Sequence, residues 1–259
     1  MDITISNQAR MDIRDGLWLG PTPSLAPGFT QANLIVLPSK YAFDFLLFCH
    51  RNAQACPVID VCEAGSYQPF HSAPDGDLRT DLPKYYVYRN GVLVSEKRDI
   101  IELWTEDMVS FLLGCSFTFE TALRRAGIPV RHIEEGKNVP MYITNIECNK
   151  AGLFQGPMVV SMRPIPAHMI ALAVQTTARF PKVHGAPIHV GNPLHVGIMD
   201  LNKPDFGDAV TIHPGEIPVF WACGVTPQAA IMRVKLDQVI THAPGHMFIT
   251  DLRDEEMTD

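Results

Sequence analysis

The sequence predicts an α/β protein with a mixed-sheet main domain and a smaller inserted unit. Segments with the periodicity of helices and of strands alternate along the chain, as they do in this class. The 259 residues are 46% hydrophobic, which is enough for a sizeable core. The 21 prolines and 18 glycines are spread along the chain and indicate turns. We expect the main domain to comprise residues 1–129 and 198–259, with a two-layer α+β unit inserted at 130–197.

Composition and charge argue against several classes of function. The net charge is −7 and no Lys/Arg run exceeds two residues, so a nucleic-acid partner is not expected. The first ten residues lack the apolar core of a secretion signal, and no apolar run approaches the roughly 18–20 residues of a membrane span. The six cysteines form no CxxC pair, which is typical of reduced thiols. We therefore expect a cytoplasmic protein without membrane contact, and a homodimer is left open.

The first third of the chain begins with a helix. Residues 5–15 have a helical pattern that ends at Gly16, and the prolines of 20–28 require an irregular passage. Residues 40–52 predict a mostly buried helix, and residues 57–63 predict a short interior strand.

The next segment contains a hairpin signal. Two β-prone runs over 84–96 flank Asn90-Gly91, the dipeptide favoured in a type I′ turn. Thr105 can cap a helix with two acidic residues in its first turn. A second helix is predicted over 117–127, where two arginines precede the terminal glycine.

The remaining elements are predicted mainly from apolar runs. The runs that predict strands before residue 166 are "VRHIEE", "VPMYIT" and "PMVVSMRP". Pro166 opens a long predicted helix that extends to residue 180. Three further strands are predicted in "GIMDL", "AVTI" and "IPVFWACG", and Thr226-Pro227 opens another helix. The segment "QVITHAPGHMFITDL" completes the fold.

Two strand-to-helix junctions share a design that suits anion binding. "LLGCSFTFE" brings Cys115 and Ser116 to the start of a helix, and "FWACGVTPQ" brings Gly224 and Thr226 to another. A helix start presents free N–H groups and partial positive charge, to which Ser or Thr adds a hydroxyl donor. Ordinary capping is the favoured explanation of either junction alone, whereas the two junctions together favour anion binding. Cys115 is a candidate nucleophile, whereas Cys223 is interpreted as a core thiol.

Charged side chains near these junctions are further candidates. Arg163 follows an apolar strand run and precedes a proline, so it can reach a cleft and bind a carboxylate, although a plain ion pair is the alternative. Glu120 lies one turn after the first junction and is the carboxylate closest to it in the chain.

The histidines are interpreted as acid–base rather than metal-binding candidates. Pro and Gly intervene within the groups His184, His189 and His195, and within "THAPGH", so helical ligand spacing is absent. We favour His189 and His242 for proton transfer, while buried structural histidines are the alternative. No metal ligands are assigned, and the cofactor requirement, a divalent metal included, is left open.

Long phrases of the chain together resemble one family. They are "APGFTQANLIVLP", "DLRTDLP", "FLLGCSFTFE", "NVPMYITN", "GPMVVSMRP", "FPKVHGAPIHVGNP", "GDAVTI", "PVFWACGVTPQ" and "THAPGHMFITDL". From about residue 14 to residue 252 the chain is similar to the hydro-lyases of the D-glutamate cyclase family. This chain has Asn192 where the family phrase has Asp, and Glu147 where the family usually has Pro.

The resemblance implies loss of water from a small carboxylic or amino acid, such as conversion of D-glutamate to 5-oxo-D-proline. A hydroxy-acid dehydratase or hydratase, and a non-catalytic amino-acid or organic-acid binding protein, are the alternatives. The expected catalytic residues are His189, His242, Cys115, Ser116 and Glu120. The expected residues for binding the carboxylate substrate are Arg163, Gly224, Thr226, Asn145 and His184.

Overall fold

A computed structural model describes residues 4–23 and 25–258. It contains the helices α1 (Thr4–Arg14), α2 (Ser39–Arg51), α3 (Phe117–Arg125), α4 (Arg131–Glu134), α5 (Ile170–Ala178) and α6 (Val225–Val234). The strands are β1 (Phe29–Pro38), β2 (Val58–Val61), β3 (Tyr85–Arg89), β4 (Val92–Lys97), β5 (Met108–Gly114), β6 (Met141–Glu147), β7 (Pro157–Pro166), β8 (His189–Val190), β9 (Glu216–Ala222), β10 (Val239–His242) and β11 (Phe248–Arg253). The predicted α/β class is confirmed. Within the described residues, no helix has the length and apolar character needed to span a bilayer.

Strand β1 lies at the centre of a seven-stranded sheet. The order is β2-β5-β1-β10-β3-β4, and β11 also pairs with β1. One edge of β1 pairs with β5, and the other edge is shared by β11 and β10, which take its first and later residues in turn. The loop 243–247 between these two strands therefore lies beside the middle of β1. This placement brings the loop close to Asn33 and Leu34.

Both faces of β1 are covered by apolar side chains. Leu34 and Val36 belong to one buried cluster, whereas Ile35 and Leu37 belong to another. Successive side chains of a strand point to opposite faces, so the continuous apolar run of β1 is what a strand covered on both faces requires.

A second sheet is inserted in the chain between β5 and β10. Its order is β6-β7-β9-β8, with Ser161 of β7 opposite Trp221 of β9 and Arg163 opposite Val219. Strand β9 joins this sheet although it follows the expected boundary at residue 197. The division into domains at 130 and 197 stays a prediction.

The strand pairs are all antiparallel among the described residues, which corrects the expectation of a mixed sheet. The physical reason lies in the connections. Helix α3 leads from the first sheet to the second, and helix α6 leads back. Neither helix returns the chain to a neighbouring strand of its own sheet, as a parallel crossover must.

Several local predictions are confirmed. The helices predicted at 5–15, 40–52 and 117–127 form with ends shifted by one or two residues. The predicted hairpin forms as β3 and β4, and its turn residues Asn90 and Gly91 have φ of 50° and 78°. Strands also form in the predicted runs that contain β6, β7 and β9.

Other local predictions are wrong. Thr105 does not cap a helix: its hydroxyl donates to Asp107, and the next residues form β5, which is buried throughout between β1 and β2. Tertiary burial of "MVSFLLG" thus outweighs a local capping signal. Residues 131–134 form a short helix rather than a strand, because Arg131 pairs with Glu134 and Glu216. The segments "GIMDL" and "AVTI" form no strands, and Pro166 ends β7 before a 3-10 turn leads into α5.

A buried ion pair joins the first helix to the last strand and generates a stability prediction. The Arg10 guanidinium is fully buried and donates to both Asp251 carboxylate oxygens at 2.8 and 3.0 Å. Arg10→Ala leaves a carboxylate at a largely buried position without its cation, so we expect the free energy of unfolding to fall by about 3–5 kcal/mol in urea titrations. Lys40→Ala is the control, because the Lys40–Asp237 pair is exposed and solvent screens it, so its loss should change stability little. Equal losses in the two variants would contradict the prediction.

Candidate active site between two helix starts

A cavity of about 580 Å³ lies where the two sheets meet. It is bordered by the residues that lead into α3, by those that lead into α6, and by the loop after β10. The polar side chains that line it are Asn33, Tyr88, Ser116, Asn138, Gln228 and His242. None of the described lining residues carries a carboxylate, an ammonium or a guanidinium group. The site is therefore apolar, with a few neutral polar groups.

The first border is the start of α3. Cys115, Ser116 and Phe117 line the cavity directly after β5 ends. Ser116 makes no capping bond to the helix, and its hydroxyl oxygen accepts a hydrogen bond from Arg163 Nη2 at 3.1 Å. Because that oxygen already accepts from arginine, its own proton is available to a ligand. In the first turn of α3, the Thr118 N–H donates to the Cys115 carbonyl at 3.3 Å, and the Phe117 N–H lies by the Cys115 sulfur.

The second border is the start of α6. Cys223, Gly224 and Val225 line the cavity directly after β9 ends. A Cβ at Gly224 would overlap Asn33 Nδ2, an atom that donates to the Gly114 carbonyl at 3.0 Å. Glycine is thus required here by space, because the two junctions touch each other at this point. Two helix N-termini therefore open into one cavity, a setting that favours negative charge.

Thr226, which was expected to bind substrate, ties α6 to the second sheet instead. It is buried, and its hydroxyl accepts from the Val159 N–H at 3.0 Å and donates to the Val159 carbonyl at 3.1 Å. The Thr226 hydroxyl thus both donates and accepts within the protein, and Thr226 does not line the cavity.

Arg163 lies beneath the start of α3, fully buried, and not in the cavity lining. It donates to Glu120 Oε1 through Nε and Nη2, and to the Ser161 hydroxyl at 3.0 Å. Its guanidinium also lies near the rings of Phe119 and Trp221, at 5.1 and 5.4 Å from their centroids. Every face of the arginine is thus occupied by the protein, and its contact with the site is through Ser116.

Glu120 is also buried and belongs to the same network. His132 Nε2 lies 3.4 Å from its carboxylate. Burial acts to raise the pKa of Glu120, but Arg163 and then His132 outweigh burial and hold the pKa below its ordinary value. The carboxylate is therefore ionised at neutral pH and serves as the counter-ion of Arg163.

His242 is the histidine that lines the cavity. It is 5% exposed, and its Nδ1 donates to the Leu34 carbonyl at 3.3 Å. Nδ1 also lies 3.5 Å from the Gln228 amide nitrogen, but the Leu34 carbonyl is closer and can only accept, so this contact favours the tautomer with the proton on Nδ1 and a lone pair on Nε2. Among the described residues Nε2 has no hydrogen-bond partner. Burial lowers the pKa of His242 to about 4, so the ring is neutral at pH 7.

The other expected polar residues lie outside the cavity lining. His184 is buried with φ of 85°, and its Nδ1 donates to the Gln54 carbonyl at 2.9 Å. His189 is half-buried, stacks on Phe220 at 5.8 Å, and uses Nε2 to contact the Asn192 carbonyl at 2.8 Å. Asn145 is exposed on β6.

The structure therefore brings together Cys115, Ser116, Gly224 and His242 from the expected set, and their catalytic or binding roles stay predictions. Sequence reasoning missed Asn33, Gln228, Tyr88 and Asn138 at this site. A polar Asn33 inside the apolar run of β1 was a usable signal, because buried polar groups in strand interiors need a specific partner. Within residues 4–23 and 25–258, no group of three or more His, Cys, Asp or Glu residues could hold a metal ion.

The contact at Gly224 generates a prediction about the junctions. Gly224→Ala places a methyl group against Asn33 Nδ2 and forces the two junctions apart. Overpacking of this kind typically costs about 1–3 kcal/mol, which urea unfolding can measure. Gly20→Ala is the control, since a Cβ there meets its nearest atom at 3.6 Å. A Gly224→Ala protein as stable as the control variant would show that the junctions are not in close contact.

The two buried histidines predict a loss of stability in mild acid. Burial lowers the pKa of His184 and of His242 to about 4, whereas an unfolded histidine has a pKa near 6.5. The contribution of these histidines to the free energy of unfolding is fully present above pH 6.5. It is lost as the pH falls, and the loss between pH 7 and pH 5 is about 2 kcal/mol per histidine. Urea unfolding of the wild type and of His184→Gln should therefore diverge from each other by about 2 kcal/mol over this range.

Comparing the wild type with His184→Gln removes the effect of groups that titrate in the same way in both proteins. Asp254 changes in the opposite direction, because burial raises the pKa of its carboxyl to about 6, and it does so in both proteins. Parallel pH profiles for the wild type and the variant would contradict the prediction.

Comparison with known proteins identifies the family. The profile of the D-glutamate cyclase family matches residues 109–251. A Geobacillus kaustophilus protein named "Putative hydro-lyase" is 66% identical over 252 residues, which cover 97% of this chain and 96% of that protein. Proteins of the same designation from Bacillus subtilis and Natranaerobius thermophilus are 62% and 61% identical, each with 95% of both chains covered. The chain belongs to the D-glutamate cyclase family.

Proposed function

We propose that this chain removes water from a small amino acid with two carboxyl groups, and that D-glutamate, which gives 5-oxo-D-proline, is the substrate. One observation carries the proposal: two helix N-termini and a neutral histidine border one cavity that has no acidic lining residue among those described. Such a cavity suits a dicarboxylate in a protein whose net charge is −7. Its volume of about 580 Å³ falls in the range of small-molecule sites. The family and the names of the relatives support the same class of reaction.

In the binding step, each of the two helix starts holds one carboxylate of the substrate. The α-carboxylate lies at the start of α6 against the Val225 N–H, because the Thr226 N–H donates to the Cys223 carbonyl at 2.9 Å and Pro227 has no N–H. Gly224 permits the close approach. The γ-carboxyl group lies at the start of α3, beside the Ser116 hydroxyl. This arrangement folds the substrate so that its α-nitrogen faces the γ-carbon, which is the near-attack geometry for a five-membered ring.

The chemical step transfers protons from nitrogen to oxygen. His242 Nε2 accepts a proton from the α-ammonium group, and the amine attacks the γ-carbon to form the new C–N bond. Negative charge on the tetrahedral oxygens is stabilised by the α3 N–H groups and by Ser116. The C–O bond then breaks, and the two protons lost by nitrogen leave on that oxygen as water. Charge is conserved, since substrate and product are both monoanions.

Variants of the two polar groups at the cavity test this reaction. His242→Gln keeps a polar side chain but loses the base, so kcat for 5-oxo-D-proline formation should fall about 10²–10⁴-fold. Ser116→Ala removes one oxyanion donor and should lower kcat about 10²-fold. Product is measured by chromatography after incubation with D-glutamate.

His189→Gln is the matched control, because this histidine lies outside the cavity lining, and its turnover should stay within a few-fold of the wild type. A wild type that D-glutamate stabilises against heat but that yields no product would indicate a binding protein instead. A loss in His189→Gln as large as in His242→Gln would overturn the assignment of the base.

A further inference from the structure

Two cysteines occupy equivalent places at the two helix starts. Cys115 follows β5 and precedes α3, and Cys223 follows β9 and precedes α6. Both line the cavity, at 9% and 7% exposure. Cys223 also belongs to a small apolar cluster, which borders the cavity. The remaining cysteines lie outside the cavity lining, Cys49, Cys56 and Cys148 in one apolar cluster and Cys62 in another. Two cysteines from different sheets thus reach one cavity at equivalent positions, each directly before a helix.

The surroundings of the two thiols are also equivalent. A hydrogen bond from the Phe117 N–H favours the thiolate form of Cys115, and one from the Val225 N–H favours the thiolate form of Cys223. Arg163, beneath the cavity, favours the thiolate form of both, whereas its counter-ion Glu120 disfavours it. The charge of one sulfur affects the other, so only one of the two is readily ionised at a time. Because burial keeps both thiols protonated at neutral pH, the form that can transfer a proton reversibly is the fraction of molecules in which one of the two has ionised.

We propose that Cys115 and Cys223 form an acid–base pair that inverts the α-carbon of an amino acid bound in this cavity, which gives the protein a racemase activity. One thiolate removes the α-proton, and the electron pair of the C–H bond moves into the carboxylate, whose charge the helix N–H groups stabilise. The other thiol then donates its proton to the opposite face of the carbon. The two sulfurs have exchanged protonation states, and the reverse reaction restores them. No cofactor or oxidant enters the balance.

Inversion takes place in the cavity of the proposed dehydration, but it uses different residues and breaks a different bond. Dehydration breaks a C–O bond with His242 as base, whereas inversion breaks a C–H bond with the thiols. The aligned carboxylate at a helix start serves both reactions.

Burial sets the pH range in which inversion is fast. It raises the pKa of Cys115 to about 12 and that of Cys223 to about 11, against the lowering effect of the N–H groups and Arg163. The ionisable groups around the sulfurs are Arg163 and Glu120 beneath the cavity, His242 across it, and the other cysteine. Of these, His242 is already neutral above pH 6. The rate should therefore increase about tenfold per pH unit between pH 7 and pH 9, as the thiolate fraction does.

The experiment follows the α-hydrogen of D- and L-glutamate in heavy water by proton NMR, with chiral chromatography for inversion. The wild type should replace the α-hydrogen of both enantiomers with deuterium and interconvert them. Cys115→Ser and Cys223→Ser should each lower inversion at least 100-fold. Each variant should retain exchange on one enantiomer, and the retained enantiomer should differ between the two. A merely structural role would not produce this division.

The control variant is Cys148→Ser, which changes a cysteine of similar exposure (8%) outside the cavity and should keep both activities. Absence of exchange on either enantiomer in the wild type overturns the racemase proposal, whether or not the variants fold. Loss of both exchanges in one variant and of neither in the other also overturns it. Lactam formation without exchange leaves the dehydration proposal intact, and exchange without lactam formation refutes the dehydration alone.

Discussion

The buried contact between Arg163 and Glu120 is the interaction on which the site depends. Arg163 belongs to a strand of the second sheet, and Glu120 belongs to the helix that leaves the first sheet. Two ionised groups in an apolar interior are stable only when both are paired and their remaining hydrogen-bonding atoms are satisfied. Ser161 and Ser116 provide those additional partners. The same ion pair therefore joins the sheets, fixes the start of α3 and orients a hydroxyl group at the cavity.

A second constraint is the close contact between the two junctions. Gly224 packs against the Asn33 amide, which in turn holds the end of β5 through the Gly114 carbonyl. With the ion pair beneath and this contact above, the starts of α3 and α6 are held in fixed relation. Positive partial charge from two helices is then available in a cavity that contributes no formal charge of its own. Preorganised dipoles of this kind need no reorganisation when a negative group binds.

Burial controls the chemistry of the ionisable groups at this site. It keeps His242 neutral and the two thiols protonated, because the charged form of each would lose its hydration. Glu120 is the exception, since Arg163 lies against it. An anionic ligand is therefore met by neutral acid–base groups and by backbone N–H groups, while the charged residues remain below the floor of the cavity, where they position Ser116.

The sequence by itself determined the α/β class, most helices and strands, the hairpin at Asn90-Gly91 and the two junctions, because these follow from short-range periodicity, turn chemistry and capping. The sequence also contains the long phrases that resemble the D-glutamate cyclase family. Only the tertiary structure decided which polar residues meet. Arg163 was placed near a cleft by local reasoning, but whether a guanidinium faces a ligand or Glu120 depends on a residue 43 positions away. His242 and His189 looked equivalent in the chain, and sheet pairing brings only His242 beside Leu34 and the cavity. Long-range pairing selects the site, because local patterns do not encode the register that brings distant strands together.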